Sequence, residues 1–143
     1  MESSQARARV LVVANRTAAT QPLLDAVRAR AARSPATFTL LVPNAAHGLH
    51  RVVDPEDQDT AEADGVLAHA LPLLSEAGGS QVQGIVGSPN PHLAVEDAVN
   101  SGGYDEIILS TLSPRLSRWL HLDLPRKLAP LGLPITTITP ADD

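Results

Sequence analysis

The densest chemistry in the chain lies between Tyr104 and Lys127, where an apolar run ends in a loop carrying Ser110, Thr111, Ser113, Arg115 and Arg118. Hydroxyls donate to phosphate oxygens and guanidinium groups grip them in bidentate pairs, so this composition suits an anion. The competing reading is a solvated loop whose arginines offset an acidic protein. A second polar cluster, Asn15, Arg16 and Thr17, follows the first apolar run. Ser88, His92 and Asp97 are close in sequence, but no nucleophile and base stand in a recognisable catalytic spacing, so no catalytic residue is assigned. His47 and His50 lie three apart without cysteine or carboxylates at ligand spacing, and no metal site is expected there.

These clusters matter only if strands and helices bring them together. Met1 to Ala8 reads as a flexible polar tail, and residues 9–143 as a single domain. Arg9 to Ala14 is a short β-branched run, the mark of a strand buried on both faces. Pro22 suits the first turn of a helix whose inner face is Leu23, Leu24, Val27 and Ala31. Phe38 to Val42 is the second strand. A long loop leads to a helix from about Asp59, with Leu67, Ala70, Leu71 and Leu74 on one face and Gly78-Gly79 as its stop. Pro72 inside that pattern predicts a kink or a broken turn. Gln81 to Val86 is the third strand. Asn90 and Pro91 cap and begin a helix that Ser101-Gly102-Gly103 closes. Ile107 to Leu109 and Ile135 to Ile138 complete the set.

Five strands alternating with helices predict an α/β domain with a largely parallel sheet and helices on both faces. The apolar runs at 10–14, 38–42 and 107–109 should be central, and the alternating runs at 81–86 and 135–138 should be edges. Order 3-2-1-4-5 satisfies this with right-handed crossovers, and order 2-1-3-4-5 stays open. In the first order the sheet reverses direction between strands one and four, and ligands bind outside the carboxyl ends of the strands at such a point. The open edge of Ile135 to Ile138 predicts pairing between two copies, a homodimer through the last strand.

Composition excludes several classes. The 143 residues carry a net charge of −5, which argues against nucleic-acid partners and anionic membranes. Charge is uneven: Asp54 to Asp64 holds six acids and no base, a region a basic protein partner could read. With no cysteine there is no thiol chemistry, and the chain has no run of membrane-spanning length, so a cytoplasmic location is expected. Phe38, Tyr104 and Trp119 are the only aromatics. That scarcity, and the missing glycine in Asn15 to Thr20, argue against a flavin site of the flavodoxin type. Trp119, at helical spacing with Leu116 and Leu120, reads as a residue packing a helix on the sheet. Ser101-Gly-Gly-Tyr-Asp105 imitates the loop of ATP pyrophosphatases, but that loop must follow a strand, and here it ends a helix.

At Gly87-Ser-Pro and Ile107-Ile-Leu-Ser-Thr-Leu-Ser-Pro-Arg-Leu-Ser-Arg-Trp-Leu, the chain resembles the universal stress protein family of the adenine-nucleotide alpha-hydrolase-like superfamily. The resemblance implies the 3-2-1-4-5 sheet, dimerisation and a role in stress or regulation, with ATP or AMP as the ligand where one is bound. ATP-binding members have a glycine loop after strand four, G-x2-G-x9-G-[ST]. Here Ser110 and Ser113 stand at the first two glycines and Leu122-Asp123 near the last, so three side chains obstruct the backbone's approach to phosphates. Asn15 stands where ATP-binding members place an aspartate. The expected ligand-binding residues are Asn15, Arg16 and Thr17 after strand one, Val42 ending strand two, Gly87 after strand three, and Ser110, Thr111, Ser113, Arg115 and Arg118 after strand four. The leading expectation is a non-catalytic binding domain, and its alternative a nucleotide-binding domain that holds phosphates at the strand-four loop with slow hydrolysis.

Overall fold

The computed structural model describes residues 7–14, 17–43, 55–88, 90–111, 119 and 123–139, and of 55–64 the backbone alone. Strands β1 (Ala8–Val13), β2 (Ala36–Pro43), β3 (Gln83–Gly87), β4 (Glu106–Ser110) and β5 (Ile135–Ile138) alternate with helices α1 (Gln21–Arg33), α2 (Pro55–Gly78), α3 (Pro91–Gly102) and α4 (Leu124–Leu128). A 3-10 turn, Ala129–Leu131, extends α4. The sheet has the order β3-β2-β1-β4-β5 and every pairing is parallel. This is the expected 3-2-1-4-5 order.

Alternation along each strand sends neighbouring side chains to opposite faces, and both faces of the central strands are buried. Val10, Val12, Phe38, Leu40, Val42 and Ile108 face one layer, formed by Leu23 and Val27 of α1 and Ala70 and Leu74 of α2. Leu11, Val13, Leu41, Ile107 and Leu109 face the other, formed by Ala94 and Val95 of α3 and Leu124 and Leu128 of α4. Each fully buried leucine contributes about 1.5–3 kcal/mol, so β1 is anchored from both sides. The edge strand β3 is not, with Ile85 and Val86 38% and 40% exposed. Apolar continuity in the sequence therefore separates central strands from edges, as expected.

Local signals set the helix ends. Asn90 Oδ1 accepts from the amides of His92 at 2.9 Å and Leu93 at 3.3 Å, with Pro91 in the first turn. Gly103 closes α3 at φ 69°, a left-handed conformation that glycine adopts without a Cβ clash, and its N–H donates to Val99 O. The Ser101-Gly-Gly run is thus a helix stop. Helix α2 departs from expectation: it starts at Pro55 and passes through Pro72 without a broken turn. Pro72 and Ala68, whose carbonyl loses the N–H of residue 72, are both exposed, so water can take the orphaned acceptor.

At the amino end of β1 and β4, polar groups are matched within the chain. Arg30, 7% exposed, donates from Nε to Glu106 Oε2 at 3.0 Å and from Nη1 to Ser34 Oγ at 3.0 Å. Arg9 donates its backbone N–H to Asp105 Oδ2 at 2.8 Å and its guanidinium to the carbonyls of Gly102 and Gly103. That guanidinium also lies 5.1 Å from the centre of the Tyr104 ring. These contacts fasten the end of α3 to the start of β1.

Candidate functional site at the carboxyl ends of β1 and β4

Helices α1 and α2 cover one face of the sheet and α3 and α4 the other, so the chain leaves β1 in one direction and β4 in the opposite one. The crevice this opens lies at the carboxyl ends of those two strands. After β1 the chain makes a turn over Thr17 to Ala19, closed by Thr20, whose N–H and Oγ1 both donate to Thr17 O at 3.2 and 2.9 Å. This turn brings Thr17 back over β4. Its Oγ1 lies 2.6 Å from Ser110 Oγ, although the two residues are 93 positions apart.

Thr17 and Ser110 are 4% and 2% exposed. Two hydroxyls own two protons, and the bond between them consumes one. Among the described residues, then, the pair has one bond between two hydroxyls and no other side-chain partner.

The other expected residues divide into three groups. Thr111 is buried beside the pair, and its backbone N–H donates to Ile138 O at 2.9 Å, which joins the end of β4 to β5. Val42 is fully buried with its side chain in the α1 and α2 layer, so it offers a ligand backbone alone. At Gly87 an added Cβ would meet Ala94 Cβ at 2.8 Å and Leu41 Cδ1 at 3.0 Å, so the missing side chain is what lets α3 approach the sheet. Asn15, Arg16, Ser113, Arg115 and Arg118 lie outside the described residues, as do His47 and His50. Trp119, half-buried, packs against the α3 and α4 layer, as its spacing predicts.

Ser88, His92 and Asp97 do not converge. His92 Nε2 pairs with Glu96 Oε2 at 3.2 Å, Ser88 Oγ accepts from the Asn90 amide, and the Asp97 carbonyl accepts from Ser101. Among the described residues no three metal-ligating side chains gather. None of the described helices is long and apolar enough to cross a membrane. An open cavity of about 380 Å³ lies at the opposite end of the sheet, bordered by Arg7, Ser34, Pro35, Gly79 and Ser80. It sits against the carboxyl ends of α1 and α2, where exposed carbonyls disfavour anions. What sequence reasoning missed is the contact between Thr17 and Ser110, since each was foreseen alone and no local pattern joins them.

No family model matches the chain, and no curated protein matches it in sequence. Solved structures do match in fold. A universal stress protein family member from Burkholderia pseudomallei is 19% identical, with a TM-score of 0.64 over 92% of this chain and 95% of that one. The universal stress protein of Archaeoglobus fulgidus, in complex with dAMP, is 14% identical, with a TM-score of 0.62 over 93% of this chain and 98% of that one. A family member from Arabidopsis thaliana with AMP bound is 15% identical, with a TM-score of 0.56 over 95% of this chain and 94% of that one. With its strand order and its two helical layers, the chain has the fold of the universal stress proteins.

Proposed function

We propose that the protein binds an adenine nucleotide at the carboxyl ends of β1 and β4, and acts by binding rather than turnover in a stress or regulatory setting. The observation that carries this reading is the buried Thr17 and Ser110 hydroxyl pair at the point where strand order reverses. Proteins of the same fold hold dAMP and AMP. The binding chemistry follows from residue types: hydroxyls at the strand ends donate to the ligand, and Arg115 and Arg118 supply positive charge to phosphates.

The test is thermal unfolding and calorimetry of the purified protein with AMP, ATP and inorganic phosphate. A ligand that binds only the folded state stabilises it by about 2.7 kcal/mol at a hundredfold excess over its Kd, so saturable stabilisation is the expected result. Arg115→Ala should weaken the binding, and added salt should weaken it further. No stabilisation at millimolar nucleotide would overturn the reading.

A second reading, self-association through β5, rests on its outer edge, where Thr136 and Thr137 are exposed and no strand among the described residues pairs. Two copies would join their sheets there. A dimer mass in sedimentation, reduced to a monomer by Thr137→Pro, whose N–H faces away from β4, and unchanged by Ile85→Lys on β3, is expected. A monomer mass for the unaltered protein at micromolar concentration removes this reading.

A further inference from the structure

We infer that the outer edge of β3 is a docking site for an extended segment of a partner protein, a short apolar run flanked by Lys or Arg that adds to the sheet as a further strand. Three large hydrophobic side chains are exposed among the described residues: Ile85 at 38%, Val86 at 40% and Leu93 at 48%. Two lie on β3, and the third is in the first turn of α3 beside Ala94, the residue that Gly87 of β3 packs against. Apolar residues scattered singly are ordinary on a surface, but three gathered at one strand mark an interaction site.

Both faces of the strand take part. A side chain at Gly84 would meet Leu67 and Leu71 of α2, and one at Gly87 would meet Ala94 of α3, so β3 alternates between those two helices. Val86 therefore stands on the α2 side and Ile85 on the α3 side. Between them runs the outer edge, with which no strand among the described residues pairs. Gln83 to Gly87 holds none of the charges and prolines that commonly blunt such an edge. The other edge strand, β5, differs: its exposed residues are Thr136 and Thr137, while Ile135 and Ile138 are half-buried.

Charge decides what kind of segment fits. The helices that pack on β3, α2 and α3, carry eight Asp and Glu and no Lys or Arg. All 11 Lys and Arg of the chain lie before residue 52 or after residue 114. An acidic border steers cationic partners toward the edge, and it disfavours the same edge of a second copy, which would bring like charge against like. An added strand exchanges main-chain hydrogen bonds with β3, sets apolar side chains against Ile85 and Val86, and carries Lys or Arg at its ends toward the acids.

The experiment selects a display library of random peptides on the purified full chain. The sequences that enrich are synthesised and titrated by calorimetry against the unaltered chain, Ile85→Lys and Leu93→Lys, with circular dichroism confirming that each is folded. They should share a run of aliphatic or β-branched residues flanked by Lys or Arg. Their affinity should fall about tenfold or more in Ile85→Lys, the range of a central interface residue, and should weaken with added salt. Hydrogen exchange at the amides of β3 should slow when they are bound. If Ile85→Lys does not fold, Leu93→Lys must show a loss of affinity by itself. A library that yields no binder overturns the inference, as do enriched sequences that are acidic or that bind Ile85→Lys as tightly as the unaltered chain. A sedimentation mass that falls on Ile85→Lys would give the edge to a second copy and overturn it as well.

Discussion

The two ends of the β1 and β4 pair are built from similar materials to opposite effect. At the amino end, Arg30, Glu106 and Ser34 are bonded to one another, and Arg9 is bonded to Asp105, Gly102 and Gly103. At the carboxyl end, two hydroxyls share one bond and make no other side-chain bond among the described residues. A matched polar cluster holds elements in place. Two neutral hydroxyls joined by one bond contribute less, about 1 kcal/mol. The difference teaches that burial alone does not identify a site: Arg30 is buried and charged, yet its contacts are complete.

Breaking the amino end should have the largest effect. Arg30→Ala leaves Glu106 without its partner in a largely buried place and should cost about 3 kcal/mol, read by urea denaturation, with nucleotide affinity unchanged. A loss below about 1 kcal/mol would show that the pair is solvated and the contrast weaker than drawn. Gly87→Ala comes next. It forces a methyl group against Ala94 and Leu41 and should cost about 1–3 kcal/mol, and a normal melting temperature would undo the packing role given to this glycine.

Smaller effects sharpen the comparison. Arg9→Ala removes the cation over the Tyr104 ring and its bonds to the end of α3, a loss of about 1–2 kcal/mol at an exposed site. Hydrogen exchange at the amides that close α3 should rise with it; protection equal to the unaltered protein would show that Gly103 holds this end alone. The smallest change is expected for Thr17→Val with Ser110→Ala. Removing both hydroxyls deletes the bond together with both of its partners, so unfolding free energy should stay within about 1 kcal/mol. A loss as large as that of Arg30→Ala would mean that the carboxyl end is structural too.

Much of the fold was legible because its signals are local. The apolar runs at Val10 to Val13 and Ile107 to Leu109 announced central strands, and the polar alternation of Ile135 to Ile138 announced an edge. Asn90, Pro91 and Gly103 marked the ends of α3 through their own backbone preferences. Of the kink or broken turn that Pro72 predicted, the broken turn does not occur, because its effect depends on what surrounds it. On the exposed side of α2 the lost bond goes to water, and the helix continues. Of the site, Thr17, Ser110 and Thr111 were foreseen as strand-end residues, and all three are buried at the carboxyl ends of β1 and β4. Val42 and Gly87 were foreseen for the same place, and each is occupied in packing the layers.

The sequence by itself determined the class of fold, the central and edge strands and the helix ends, since hydrophobic periodicity and capping act within a few residues of the chain. Only the tertiary structure decided that Thr17 and Ser110 meet, that Arg30 meets Glu106, and that Gly87 faces Ala94. Those contacts depend on crossover direction and strand register, which are set by the packing of all layers at once and leave no mark in the spacing of the residues that make them.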